Sequence, residues 1–304
     1  MGRVAAIQVD VTAASPDGRA EFRSRVEQLI RRAAAEGADA VVLPEAMCSR
    51  EVPPSNPDDA ERVPGPTSEW ACRLAKELGV LACVGLVERE RDALYSAALL
   101  VSPSGIVLHK HRRVKMGPGL NGYSKGRSVA AVDTRVGPVG VAITRDALKK
   151  RYLRRLANVG AKVALVPGGW CGAPEGGERA EFAVHGTPRV AFPPSKAYHS
   201  PWKDVEGMLP AESPTGARAS VIVPDLVDRL YRRLAHKAKK HGLYLVCANA
   251  VGVRRVAGRE CVGWGYSAAI NPRGELVGFL GHAHEGVLLV DLPDLGDLGL
   301  GEER

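Results

Sequence analysis

Gly140-Val141-Ala142-Ile143-Thr144-Arg145-Asp146 is the stretch on which the reading of this chain turns. Its small and apolar residues suit a buried strand. Asp146 then opens a helical pattern, with Leu148, Tyr152, Leu153 and Leu156 at helical spacing. A strand-to-helix corner of this kind is where α/β enzymes present a reactive side chain, and here the corner residue is Thr144.

The pattern extends in both directions. Val4–Val11 reads as a strand, followed by a helix that Asp17 can cap and Gly37 can end, with Phe22, Val26, Leu29, Ile30 and Ala33 on one face. Asp39–Leu43 is the next strand, and Pro44-Glu45 leaves its end. A helix from Thr67 or Ser68 carries Trp70, Leu74 and Leu78. Strands at Val80–Leu86, Leu94–Val101 and Ile106–Arg113 follow, the last two joined by a Pro-Ser-Gly turn. Beyond the corner come a strand at Val163–Val166, a helix over Pro224–His241, a strand at Leu243–Ala248, a hairpin around Asn271–Gly274 and a strand at Val287–Leu292. Alternating strands and helices define an α/β fold, read as a single domain over residues 1–304. Gly168–Val221 is rich in Pro, Gly and Ser and too long for an ordinary connection. The insertion at about 168–223, holding Trp170, Cys171, His185, Tyr198, His199 and Trp202, reads as a lid over a site.

Composition narrows the function classes. At 304 residues and 45% hydrophobic, the chain can bury a large core. No apolar run reaches the ~18 residues of a membrane span, so no membrane partner is expected. The N-terminus lacks a signal-peptide pattern, and the six cysteines show no paired short spacing, so reduced thiols and a cytoplasmic location are expected. The net charge of +8 concentrates in His109–Lys115, Lys149–Arg155 and Arg229–Lys240. No nucleic-acid recognition motif accompanies it, so an anionic small molecule or an acidic protein is the better partner. His109-x-His111 and His282-x-His284-Glu285 alternate as metal ligands would on a strand, but no third ligand set is visible, and no metal is expected. GxGxxG and phosphate-loop patterns are absent, and no cofactor is expected.

Several blocks occur in a specific order: Val4-Ala5-Ala6-Ile7-Gln8, Ala40–Glu45, Pro103–Lys115, the strand ending at Thr144, Gly160-Ala161, Val166-Pro167, Val246–Asn249 and Gly265–Glu275. Together they resemble the nitrilase superfamily, the carbon–nitrogen hydrolases, from Val4 to about Leu292. The resemblance implies a four-layer α-β-β-α sandwich and a homo-oligomer. It also implies a catalytic glutamate, lysine and cysteine, which fall on Glu45, Arg113 and Thr144. The histidine of the family's Tyr-Arg-Lys-x-His pattern falls on Lys115. Many members carry a second glutamate after the lysine strand, whereas Leu94–Val132 contains no acidic residue.

These substitutions change the expected chemistry. A threonine hydroxyl is far less acidic than a thiol and needs a strong base held against it. A guanidinium never deprotonates at working pH, so Arg113 cannot shuttle a proton as lysine does. The ordinary thioester route is therefore not supported. On a strand, Arg113 and Lys115 would share one face, and with Arg145 they would form a pocket for a carboxylate or phosphate. Trp170 and Cys171 follow a strand end near it. Glu45 is either an acid/base group or the structural partner of Arg113. Three functions stay open: a cysteine-independent enzyme acting on a small, anionic, nitrogen-containing metabolite; a non-catalytic protein binding a metabolite or partner subunit; and an amidase whose nucleophile has moved to Cys171 or Cys48.

Overall fold

The protein, seen in a computed structural model, is described over residues 2–14, 18–117, 120, 122–172, 224–282 and 284–293. In chain order its elements are β1 (Gly2–Asp10), α1 (Arg19–Ala35), β2 (Ala40–Val42), β3 (Glu51–Val52), α2 (Pro66–Leu78), β4 (Leu81–Glu90), β5 (Ala93–Val101), β6 (Val107–Arg112), β7 (Ala131–Thr134) and β8 (Gly137–Val141). There follow α3 (Lys150–Asn158), β9 (Val163–Pro167), β10 (Cys171–Gly172), α4 (Pro224–His241), β11 (Tyr244–Ala248), β12 (Ala250–Val251), β13 (Val253–Val256), β14 (Arg259–Gly263), β15 (Ala268–Ile270), β16 (Leu276–Phe279) and β17 (Gly286–Leu292).

One large sheet runs β12-β1-β2-β4-β5-β6, with β17 also pairing β1; the second runs β16-β15-β11-β9-β8-β7. Their central strands are parallel and joined through helices, which requires both faces of each sheet to be covered. In β1, Val4 and Ala6 turn toward the second sheet while Ala5, Ile7 and Val9 turn toward α1, and all are buried. Val139, Val141, Val163, Leu165 and Val246 complete the layer between the sheets. Phe22, Val26, Ile30 and Leu74 cover the outer face of the first sheet; Leu153, Leu156, Leu230 and Leu234 cover that of the second. This is the α-β-β-α sandwich the resemblance implied. A small third sheet, β10-β14-β13-β3, lies beside the strand ends and walls the site described below.

Two local expectations are corrected. The helix expected from Asp146 begins at Lys150; Thr144–Asp146 is a 3-10 turn, because the Asp146 carboxylate is drawn to Val114 and Lys115 instead of capping its own helix. The strand expected to reach Arg113 ends at Arg112, so Arg113 and Lys115 do not share a strand face. Asp17 and residues 173–223, with His185, Tyr198, His199 and Trp202, lie outside the described residues. Among the described residues no helix is long and apolar enough to cross a membrane.

Packing of α3 against β8 is tight at Gly140, where a Cβ would lie 2.5 Å from Leu156 Cδ1. Gly140→Ala is expected to lower stability by about 1–3 kcal/mol, read from the urea midpoint. An unchanged midpoint would show that Leu156 repacks freely.

Candidate functional site

Strand ends of both large sheets meet around one carboxylate. Glu45 leaves β2 through Pro44 and is 3% exposed. Its N–H donates to Gly168 O at 3.0 Å, just past β9, and Ala46 takes a φ of +47°, so the chain turns at once. Two neighbours must lack a side chain for this to fit. A Cβ at Gly85 would lie 2.2 Å from Pro44 O, and one at Gly169 would lie 2.4 Å from Glu45 Oε2.

Three donors converge on the Glu45 carboxylate. Ser96 Oγ and Arg113 Nη1 donate to Oε1 at 2.5 and 2.6 Å, and Thr144 Oγ1 donates to Oε2 at 2.5 Å. Ser96 alternates with Ala98 and Leu100 on β5, whose even positions turn toward the second sheet. The Arg113 N–H donates to Ser96 O at 2.8 Å, extending the β5–β6 ladder by one bond and delivering the guanidinium inward. Arg113 is itself 3% exposed. Arg254, on β13 and equally buried, places Nη1 and Nη2 3.4 Å from Glu45 O.

Thr144 sits at the end of the quoted stretch with a φ of +40°. For a β-branched residue this is a genuine outlier, costing about 1–3 kcal/mol unless the surroundings hold it. Asp146 is one holder. Fully buried, it accepts from Lys115 N at 2.6 Å and Val114 N at 3.1 Å, and faces His111 Nε2 at 3.0 Å. The corner carrying Thr144 is thereby tied to the segment carrying Arg113. His111, read from sequence as a possible ligand, packs between Asp146 and Tyr152. Among the described residues no group of three or more His, Cys, Asp or Glu is arranged to hold a metal ion.

A cavity of about 60 Å³ opens beside this carboxylate. Arg113, Thr144, Arg145, Trp170 and Cys171 line it, together with Arg259 and Cys261 from the third sheet. Lys115 does not: its side chain is exposed, because the chain has left the sheet and turned onto Asp146. Burial first, and then the nearby Arg113 guanidinium, push Arg145 below the ordinary arginine range. Trp170 is seated by Asn249, which accepts from its N–H at 3.1 Å, and its indole Nε1 is buried without a partner among the described residues. Cys48 lies elsewhere, packed on the α1–α2 side of the first sheet, where burial raises its thiol.

Ser96, Arg254, Arg259 and Cys261 escaped the sequence reading. Ser96 had a usable signal, since it interrupts the run Ala93–Val101, whose other members are apolar or aromatic. The other three arrive only through pairing of the β13–β14 hairpin, Arg259 and Cys261 at the cavity and Arg254 at the Glu45 carbonyl.

The profile of the family described as carbon-nitrogen hydrolase matches residues 3–189. Omega-amidase NIT2-A of Xenopus laevis is 31% identical over 156 residues, 48% of this chain and 56% of that protein. Nitrilase 3 of Arabidopsis thaliana is 29% identical over 166 residues, 47% of this chain and 48% of that protein. The chain thus spans about half the length of the curated relatives it matches. Among solved structures, an amidase from Nesterenkonia sp. AN1 carrying acrylamide at its active-site cysteine aligns with a TM-score of 0.64 and 18% identity, covering 96% of this chain and 94% of that one. A carbon-nitrogen hydrolase from Helicobacter pylori G27 aligns with a TM-score of 0.71 and 16% identity, covering 95% and 89%.

Proposed function

This chain belongs to the carbon–nitrogen hydrolase family, and we propose that it acts on a small, anionic, nitrogen-containing molecule without a cysteine nucleophile. In this reading Glu45, Arg113 and Thr144 occupy the family's glutamate, lysine and cysteine positions. The observation that carries it is the contact of Thr144 Oγ1 with Glu45 Oε2 at 2.5 Å, beside a cavity lined by three arginines. A hydroxyl stands against the carboxylate, and no thiol shares that contact.

The chemistry follows from these groups. Arg145 and Arg259 clamp the ligand's carboxylate or phosphate, as guanidinium does bidentately. The Trp170 indole N–H offers a further donor. Glu45 acts as the acid/base or electrostatic group through Oε2, the oxygen Arg113 leaves to Thr144. Thr144 orients the carboxylate and forms no ester. A homo-oligomer in the cytoplasm is part of the same proposal.

One observation favours a second reading, a non-catalytic binding protein: Ser96, Arg113 and Thr144 between them engage both oxygens of Glu45. Calorimetry with a panel of small carboxylate- or phosphate-bearing amides, and an ammonia-release assay on the same panel, separate the two. Anionic amides are expected to bind at least roughly tenfold more tightly than neutral isosteres, a preference lost in Arg145→Ala. Equal binding of neutral and anionic amides overturns the anionic-ligand reading. Ammonia release that survives Cys171→Ser and vanishes in Glu45→Gln supports the cysteine-independent enzyme. Release abolished by Cys171→Ser supports the displaced-cysteine amidase, and binding without release supports the second reading.

The double substitution Thr144→Cys with Arg113→Lys tests the positional equivalence. It is expected to create amidase activity on neutral amides where the starting protein has none, because a thiol is readily poised as thiolate by a neighbouring cation and base. A folded double variant with no activity would show that the cavity itself has been rebuilt.

A further inference from the structure

Two cysteines that neither reading uses in turnover face each other across the wall of the cavity. β10 pairs antiparallel with β14, with Cys171 opposite Gly263. Side chains alternate along a strand, so Cys261, two residues before Gly263, lies diagonal to Cys171 on the same face. Both line the cavity and both are free. Arg254 is buried nearby and makes no ion pair among the described residues. The neighbouring Cys171 thiol first, then Arg254 and Arg259, draw the Cys261 thiol below its usual range, while the Cys261 thiol and burial push Cys171 above its own. The arrangement pairs a thiol primed to attack with a second placed to resolve. The cavity, about 60 Å³, admits a molecule as small as hydrogen peroxide.

We propose that Cys261 and Cys171 form a peroxide-reactive dithiol, which closes to a reversible disulfide in the wall of the candidate site. The Cys261 thiolate attacks one peroxide oxygen. The O–O bond breaks, the departing hydroxide takes a proton to become water, and Cys261 becomes a sulfenic acid. Cys171 then gives up its proton and attacks the Cys261 sulfur; the S–O bond breaks, and hydroxide leaves with that proton as a second water. Two thiols and one hydrogen peroxide thus become one disulfide and two waters. An external dithiol restores the pair. The inference rests on the cavity wall and not on turnover, so it stands or falls separately from the function proposed above.

Peptide mapping by mass spectrometry tests it on the unmodified full chain treated with equimolar hydrogen peroxide. Cys72, partly exposed and raised by burial, is the internal reference. The expected result is a Cys171–Cys261 disulfide, formed at least roughly tenfold faster than Cys72 oxidises and reversed by dithiothreitol. In Cys171→Ser, dimedone is expected to trap a sulfenic acid on Cys261. In Cys261→Ser, Cys171 is expected to react no faster than Cys72. Oxidation of Cys72 in the unmodified chain at a rate equal to Cys261, or a disulfide joining any other pair first, overturns the proposal.

Discussion

Arg113→Met is expected to destabilise this protein by about 3–5 kcal/mol, the cost of stripping one partner from a buried ion pair. Glu45 and Arg113 are each 3% exposed and meet at 2.6 Å. Without the guanidinium, the carboxylate keeps two hydroxyl donors and no counter-charge next to it. Arg254 does not substitute, because its Nη1 and Nη2 point at the Glu45 carbonyl and not at its carboxylate. The second substitution, Arg113→Met with Glu45→Gln, is expected to regain about half or more of the loss, since it removes the orphaned charge and keeps a hydrogen-bonding side chain. Urea midpoints of the two variants measure this directly. A single variant within about 1 kcal/mol of the starting protein would show that the pair contributes little, and the case for a buried, charge-paired Glu45 would fail.

Asp146→Ala carries the second large effect, also about 3–5 kcal/mol, from two backbone N–H groups and one histidine nitrogen left without their acceptor at about 1–3 kcal/mol each, less than additively. The donors are Val114 N, Lys115 N and His111 Nε2. Asp146→Asn is expected to recover less than half, because its amide nitrogen is a donor facing donors. Function reports on it as well. The carboxylate ties the Arg113 segment to the Thr144 corner, so ligand affinity should fall in a variant that touches no ligand. A stability loss below about 1 kcal/mol in Asp146→Ala would falsify the role given to this residue.

Asp146 also shows where sequence reading stops. Its position before an apolar helical pattern made it a helix opener, an inference from local spacing. Its partners lie about thirty residues upstream, and only folding brings them near. His111 behaves the same way. Alternation with His109 raised a ligand question that its burial between Asp146 and Tyr152 answers in another way. Lys115 was placed in the cavity by assuming that the strand continued, and the strand stops one residue before Arg113.

The sequence by itself determined the α/β class and the order of elements. Those depend on apolar periodicity and on turn residues, which act over a few positions. The ordered family blocks added the four-layer sandwich and singled out Glu45, Arg113 and Thr144. Tertiary structure alone decided that Ser96 joins them at one carboxylate, that Arg254, Arg259 and Cys261 approach from a third sheet, and that Lys115 turns away. Such choices follow strand register, and shifting a strand by one residue sends every side chain to the opposite face. No local pattern encodes that register, because it is set by which strands pair across the whole chain.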